Sequence, residues 1–147
     1  MGIVNKKIIL YSTLENVWTF ITQPQNFPQY VYGYTRGTTI SPNDIGVGAT
    51  YEWYGKLGPF KLKSTEQIRD WQEQKYVAYA GKLGGVAFNS SMEVTEINKE
   101  KTILTVSITY HVPIYFGGKL MDFLLIKWIV TEYIKKSFNK VNNILDG

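Results

Sequence analysis

GKLMDFLLIKWIVTEYIKKSFNKVNNIL (118–145) is the stretch whose reading decides the fold. Leu120, Phe123, Leu124, Val130, Ile134, Phe138, Val141 and Leu145 recur at helical spacing on one side, with Lys127 and Thr131 inside the same arc. About 28 residues in one helix rise roughly 42 Å at 1.5 Å per residue. A small neighbour cannot cover so long an apolar face, so a large curved surface must. The preceding hundred or so residues read almost wholly as strands and supply it. A long helix gripped by an antiparallel sheet encloses a space, and that space is the expected site of function.

Working outward, Pro113, Gly117 and Gly118 end the last strand and release the chain into the helix. Strands are expected near 34–41, 49–56, 60–71, 75–82, 86–97 and 102–112. They are runs of Tyr, Trp, Val, Ile and Thr punctuated by glycines such as Gly46, Gly48, Gly55, Gly58, Gly81 and Gly84. Their short connections imply antiparallel neighbours. Phe88, Ser90, Met92 and Val94 alternate with Asn89, Ser91, Glu93 and Thr95, and Leu104, Val106, Ile108 and Tyr110 alternate with polar residues, so these two strands show which face meets the helix.

Toward the N-terminus, residues 3–11 read as a first strand. Ser12-Thr13-Leu14-Glu15 fits a capping box in which the Ser12 hydroxyl and the Glu15 carboxylate satisfy free amides at a helix start. That helix carries Val17, Trp18, Phe20 and Ile21 and stops at Pro24. A second short helix is expected from Gln25 to Tyr30, with Pro28 inside it. The fold class is therefore α+β: a curved antiparallel sheet of about seven strands around a long C-terminal helix, with two short helices after strand 1, in one domain over 1–147.

Composition narrows the function. The net charge of +4 comes from 16 Lys and Arg against 12 Asp and Glu, without a block of like charge, and only Arg36 and Arg69 are arginines. Bidentate recognition of phosphate or base edges leans on arginine, so no nucleic-acid partner is expected. Cysteine is absent, which excludes disulfides, thiolate metal sites and cysteine nucleophiles. His111 is the single histidine, which removes multi-histidine metal centres and leaves no Ser/His/Asp set; its parity places it at the surface. No metal and no cofactor is expected. The apolar run 120–134 is broken by Asp122, Lys127 and Glu132, so stable membrane insertion is not expected. Without the apolar stretch of a signal peptide near the N-terminus, the expected location is cytoplasmic. Gly117-Gly118 lacks the Ser/Thr and Lys of a phosphate loop and reads as a turn.

The element order resembles the helix-grip fold of the START-like superfamily, also called SRPBCC, and so does the local text. Ser12-Thr13-Leu14-Glu15-Asn16-Val17-Trp18 looks like that family's entry into its first helix, and Pro24-Gln25-Asn26-Phe27-Pro28-Gln29-Tyr30 is similar to its second-helix motif. Gly46-Val47-Gly48-Ala49-Thr50 resembles its Gly-x-Gly turn, and 113–120 its Gly-rich approach to the final helix. The match spans nearly the whole chain and looks nearest to the polyketide cyclase and coenzyme Q-binding-like groups. The resemblance implies lipophilic ligands, such as lipids, quinones or polyketide-like compounds, held between sheet and helix, with chemistry in only some members.

Residue types agree with a cavity. Tyr and Trp pair an apolar body with a polar tip, and aromatic residues make up 15% of the chain. Tyr51, Trp53, Tyr79 and Tyr110, with the small residues Ala78, Ala80 and Ser90, are core-facing candidates. The expected ligand-binding set is Tyr30, Tyr51, Trp53, Phe88, Ser90, Met92, Val106, Ile108, Tyr110, Leu120, Phe123, Leu124, Lys127, Thr131 and Ile134. Lys127, an ammonium on an apolar face, must pair, reach water or shift its pKa. Against a pocket it would bind an anionic or carbonyl head group, with Thr131 one turn on as a second donor.

Glu52 would pair with Lys127 if it faced inward, but parity leaves open whether Glu52 and Tyr54 or Tyr51 and Trp53 line the wall. Three functions follow. The first is non-catalytic binding or carriage of a lipophilic molecule; burying roughly 400 Å² of apolar area gains about 10 kcal/mol before ordering costs. The second is a cyclase- or dehydratase-type enzyme on a poly-carbonyl substrate, with Lys127, Tyr110 or Glu52 stabilising an enolate or moving a proton. The third is an accessory module that uses the exposed sheet face to meet a protein.

Overall fold

The computed structural model describes residues 2–57, 59–83, 86–111 and 119–146, and within these the side chains of all but 57, 60, 119–127 and 146. Strand β1 (Gly2–Leu10) leads into helix α1 (Leu14–Thr22), a 3-10 turn (Pro24–Asn26) and the short helix α2 (Phe27–Tyr30). Six strands follow: β2 (Tyr34–Thr39), β3 (Thr50–Leu57), β4 (Phe60–Gln72), β5 (Tyr76–Leu83), β6 (Val86–Asn98) and β7 (Lys101–His111). Helix α3 (Lys119–Asp146) closes the chain. The strands form one antiparallel sheet in the order β1-β7-β6-β5-β4-β3-β2. Each of β2 to β7 lies beside its neighbour in sequence, as short hairpin connections require, and β1 returns to the free edge of β7.

The start of α1 corrects the expected capping box. Thr13, not Ser12, is the N-cap: its backbone is extended at φ −68°, ψ 154°, and its Oγ1 accepts the amide of Asn16 at 3.1 Å. The Ser12 carbonyl instead accepts the hydroxyl of Thr102 at 2.9 Å, which ties the turn to β7. At its other end α1 stops at Thr22 because Gln23, next to Pro24, is extended at ψ 119°. The expected helix over 25–30 resolves into the 3-10 turn and α2, with Pro28 in the first turn of α2, where a missing amide costs nothing.

Alternation assigns the faces. Along β5 Val77 and Tyr79 are buried, so Ala78 and Ala80, expected among the core-facing residues, fall on the opposite face. On β3 Tyr51 and Trp53 face inward at 1% and 2% exposure, and Glu52 and Tyr54 outward. A bulge between Ile68 and Asp70 adds a residue to β4, so that inward parity passes from Ile68 to Trp71. Trp71 meets Trp18 edge-on at 5.1 Å, and both indole N–H groups donate to Glu73, at 2.9 and 3.1 Å, which fixes α1 on the sheet.

The buried face of α3 includes Ile134, Phe138 and Val141, with Val130, Tyr133 and Leu145 packed beside them. Leu120, Phe123, Leu124 and Lys127, expected on the same stripe, lie outside the described side chains. Ser137 Oγ accepts the Tyr32 amide at 2.9 Å, which docks α3 against the turn after α2. Among the described residues no helix is long and apolar enough to cross a membrane.

Candidate functional site

A cavity of about 330 Å³ lies between the inner face of the sheet and helices α2 and α3. One wall is built from cross-strand pairs of β6 and β7: Phe88 opposite Tyr110, Ser90 opposite Ile108, and Met92 opposite Val106. Opposite them α3 presents Val130, Tyr133, Ile134, Ser137, Phe138 and Val141, spaced as one helical face. Phe27 and Tyr30 of α2, with Val31 and Tyr34, close one side. Most of the surface is carbon, as a site for a lipophilic ligand requires.

Of the residues expected to bind ligand, Tyr30, Phe88, Ser90, Met92, Val106, Ile108, Tyr110 and Ile134 line this cavity. Tyr51 and Trp53 do not. They stand one layer behind the wall, because Phe27 stacks on Trp53 at 4.8 Å and Tyr34 stacks on it at 5.5 Å. The Tyr51 hydroxyl is spent on the carbonyl of Asp44. Thr131 lies on α3 outside the lining set, half-buried. Glu52 sits on the far side of the sheet, where its carboxylate meets Lys63 at 3.4 Å and accepts from Tyr54 at 3.3 Å. It does not line the cavity, so the inward orientation on which a pairing with Lys127 depended is not met. His111 is exposed at the end of β7.

Glu66 is the residue that reading the sequence missed. It is 6% exposed, lines the cavity from β4, and its Oε1 accepts the Trp53 indole N–H at 2.7 Å. Burial pushes its carboxyl up to about 7, an effect the Trp53 donor opposes only in part. The hydroxyls of Tyr30, Tyr34, Tyr79 and Tyr133 are all raised above the ordinary phenol range, chiefly by burial and further by the nearby Glu66 charge. They remain protonated at neutral pH. A signal was present: Leu62, Ser64, Glu66 and Ile68 alternate with Lys61, Lys63, Thr65 and Gln67, which puts the carboxylate on the apolar side of the strand.

The polar groups around the cavity are incompletely satisfied. Tyr30 donates to the Ile21 carbonyl at 2.6 Å, so it offers a ligand only its ring. Tyr79 Oη and Tyr110 Oη are buried without a hydrogen-bond partner among the described residues. Ser64 Oγ sits beside the Tyr34 hydroxyl without a bond of ordinary geometry. Buried hydroxyls are seldom left so, and a cavity that carries them is suited to a ligand with a polar group of its own. Among the described residues no Lys, Arg or His lines the cavity, and no group of His, Asp and Glu is disposed to hold a metal ion.

Comparison with known proteins agrees with this architecture. The family described as polyketide cyclase / dehydrase and lipid transport matches residues 1–143. A START superfamily protein from Mycobacterium smegmatis has a similar structure, with a TM-score of 0.82 at 9% identity, covering 98% of this chain and 97% of that one. The Zhui aromatase/cyclase from Streptomyces sp. R1128 superposes with a TM-score of 0.81 at 10% identity, covering 99% of this chain and 93% of that one. A conserved protein from Geobacillus kaustophilus gives 0.77 at 20% identity, covering 99% and 95%. At these identities the likeness establishes the helix-grip fold. No curated protein matches the sequence significantly.

Proposed function

The chain belongs to the polyketide cyclase / dehydrase and lipid transport family, and within it we propose a non-catalytic role: binding and carrying a lipophilic small molecule between the sheet and α3. The observation that carries this reading is the cavity of about 330 Å³, walled by Met92, Val106, Ile108, Ile134 and their neighbours and lined also by Glu66 and by Tyr79, whose hydroxyl has no partner among the described residues. Apolar burial supplies the affinity and the few polar groups supply the orientation. Lipids, quinones and polyketide-like compounds share the required chemistry. Native mass spectrometry of the protein purified from its own source tests this. A co-purifying lipophilic molecule at one per chain is expected; ligand-free protein that also fails to take up the neutral probe N-phenyl-1-naphthylamine saturably contradicts it.

One observation favours a catalytic alternative on a poly-carbonyl substrate. A carboxyl titrating near neutrality inside an apolar site is suited to take or return a proton. Glu66 replaces Glu52 as the candidate base in that reading, and Tyr110 stays on the wall as a hydrogen-bond donor. Glu66→Gln separates the two: a carrier keeps most of its affinity for a neutral ligand, and an enzyme loses turnover.

A further inference from the structure

The chemistry around Glu66 in the cavity selects among lipophilic ligands. Glu66 is the only charged residue among the described lining, and one of its two oxygens is engaged by Trp53. Every other titratable group described as feeling its charge is a tyrosine: Tyr30 from α2, Tyr34 from β2, Tyr51 from β3, Tyr79 from β5 and Tyr133 from α3. Phe27 completes this aromatic surround, with its ring 5.4 Å from Tyr30 and 6.0 Å from Tyr79. Tyr79, 3% exposed, lines the same space, and its buried hydroxyl has no hydrogen-bond partner among the described residues.

A carboxylate with no countercharge among the described residues, set among tyrosine rings and a hydroxyl oxygen able to accept, matches one kind of head group. An ammonium pairs with the carboxylate, donates to hydroxyl oxygen and is attracted to ring faces. An anionic head is repelled, and a neutral alcohol leaves the buried charge unanswered. We propose that the cavity takes lipophilic amines, with the protonated nitrogen at Glu66 and Tyr79 and the hydrocarbon along Met92, Val106 and Ile108. This rests on the carrier reading and adds the ligand's head-group class to it.

Decylamine, decanol and decanoate test it by isothermal titration at pH 8 and pH 5. They share one chain, and the amine is protonated at both pH values. At pH 8 the amine is expected to bind about ten-fold or more tightly than the alcohol, with decanoate weakest. At pH 5, where Glu66 holds its proton, that advantage shrinks by about ten-fold. Binding the amine near pH 7 releases protons, read from buffers of different ionisation enthalpy, whereas binding the alcohol does not. Glu66→Gln removes the advantage at pH 8 while decanol still binds. Equal affinity for amine and alcohol at pH 8 overturns the head-group inference and leaves the carrier reading intact. Failure of all three to bind overturns both.

Discussion

Trp53 on β3 donates its indole N–H to Glu66 on β4 at 2.7 Å, and the two are diagonal neighbours, since Trp53 lies opposite Ser64 and Tyr51 opposite Glu66. This single bond is the only one described that holds the carboxylate inside a largely apolar cavity. Folding therefore takes a group that ionises near 4.5 in the open chain and gives it a pKa of about 7.

A raised carboxyl pKa weakens the fold as pH rises. Between about 4.5 and 7 the unfolded chain has released this proton and the folded chain still holds it, so stability is full below that window and lost through it. The shift corresponds to about 3 kcal/mol. Glu66→Gln lacks this slope. Urea denaturation at pH 4, 6 and 8 is expected to show the variant gaining on the parent at each step; a constant difference would show that Glu66 titrates normally.

Trp53→Phe keeps a ring between Phe27 and Tyr34 and deletes the N–H. Loss of the donor costs about 1–3 kcal/mol when Glu66 is charged. It also moves the Glu66 titration further above neutrality, which carbon-13 NMR of the carboxyl detects directly. An unchanged or lowered titration point would mean that the bond does not stabilise the charge.

Gly37 lies against the benzo ring of Trp53, where an added Cβ would come within about 2.0 Å of Cε3. Gly37→Ala is expected to cost about 1–3 kcal/mol by displacing the indole. Near-UV circular dichroism should change with it, because Trp53 sits within the Phe27 and Tyr34 stack.

Glu52, half-buried, and Lys63, exposed, form a pair on the outer face. Glu52→Gln is expected to cost less than about 1 kcal/mol and to leave ligand affinity and any turnover unchanged. A ten-fold loss of either would return Glu52 to the functional site.

Filling the cavity separates binding from folding. Ile108→Trp places a bulky ring in the cavity that Ile108, Ser90 and Ile134 line. Uptake of N-phenyl-1-naphthylamine is expected to fall by about ten-fold or more with little loss of melting temperature. Unaffected uptake would place the ligand elsewhere.

The fold was legible because it is written in periodicity. Each expected strand and the long helix fall within a residue or two of their observed bounds, since alternation on β6 and β7 and the 3.6-residue repeat on α3 are properties of single segments. The wall formed by β6 and β7 was legible for the same reason. What escaped depends on how segments meet. Tyr51 and Trp53 have inward parity, yet α2 lays Phe27 over them, and no pattern within β3 encodes that cover. Glu66 was passed over because a carboxylate is usually solvated, although its parity with Leu62 and Ile68 marked it as buried. The cap moved from Ser12 to Thr13 because the Ser12 carbonyl is engaged by Thr102, 90 positions on in the chain.

Methyl NMR of the protein titrated with N-phenyl-1-naphthylamine tests the central claim most directly. Saturable shifts at the methyls of Met92, Val106, Ile108 and Ile134, with those of the outward-facing Ala78 and Ala80 unmoved, are the result this account predicts. Shifts confined to the outer face of the sheet, or an absence of saturation, would contradict it.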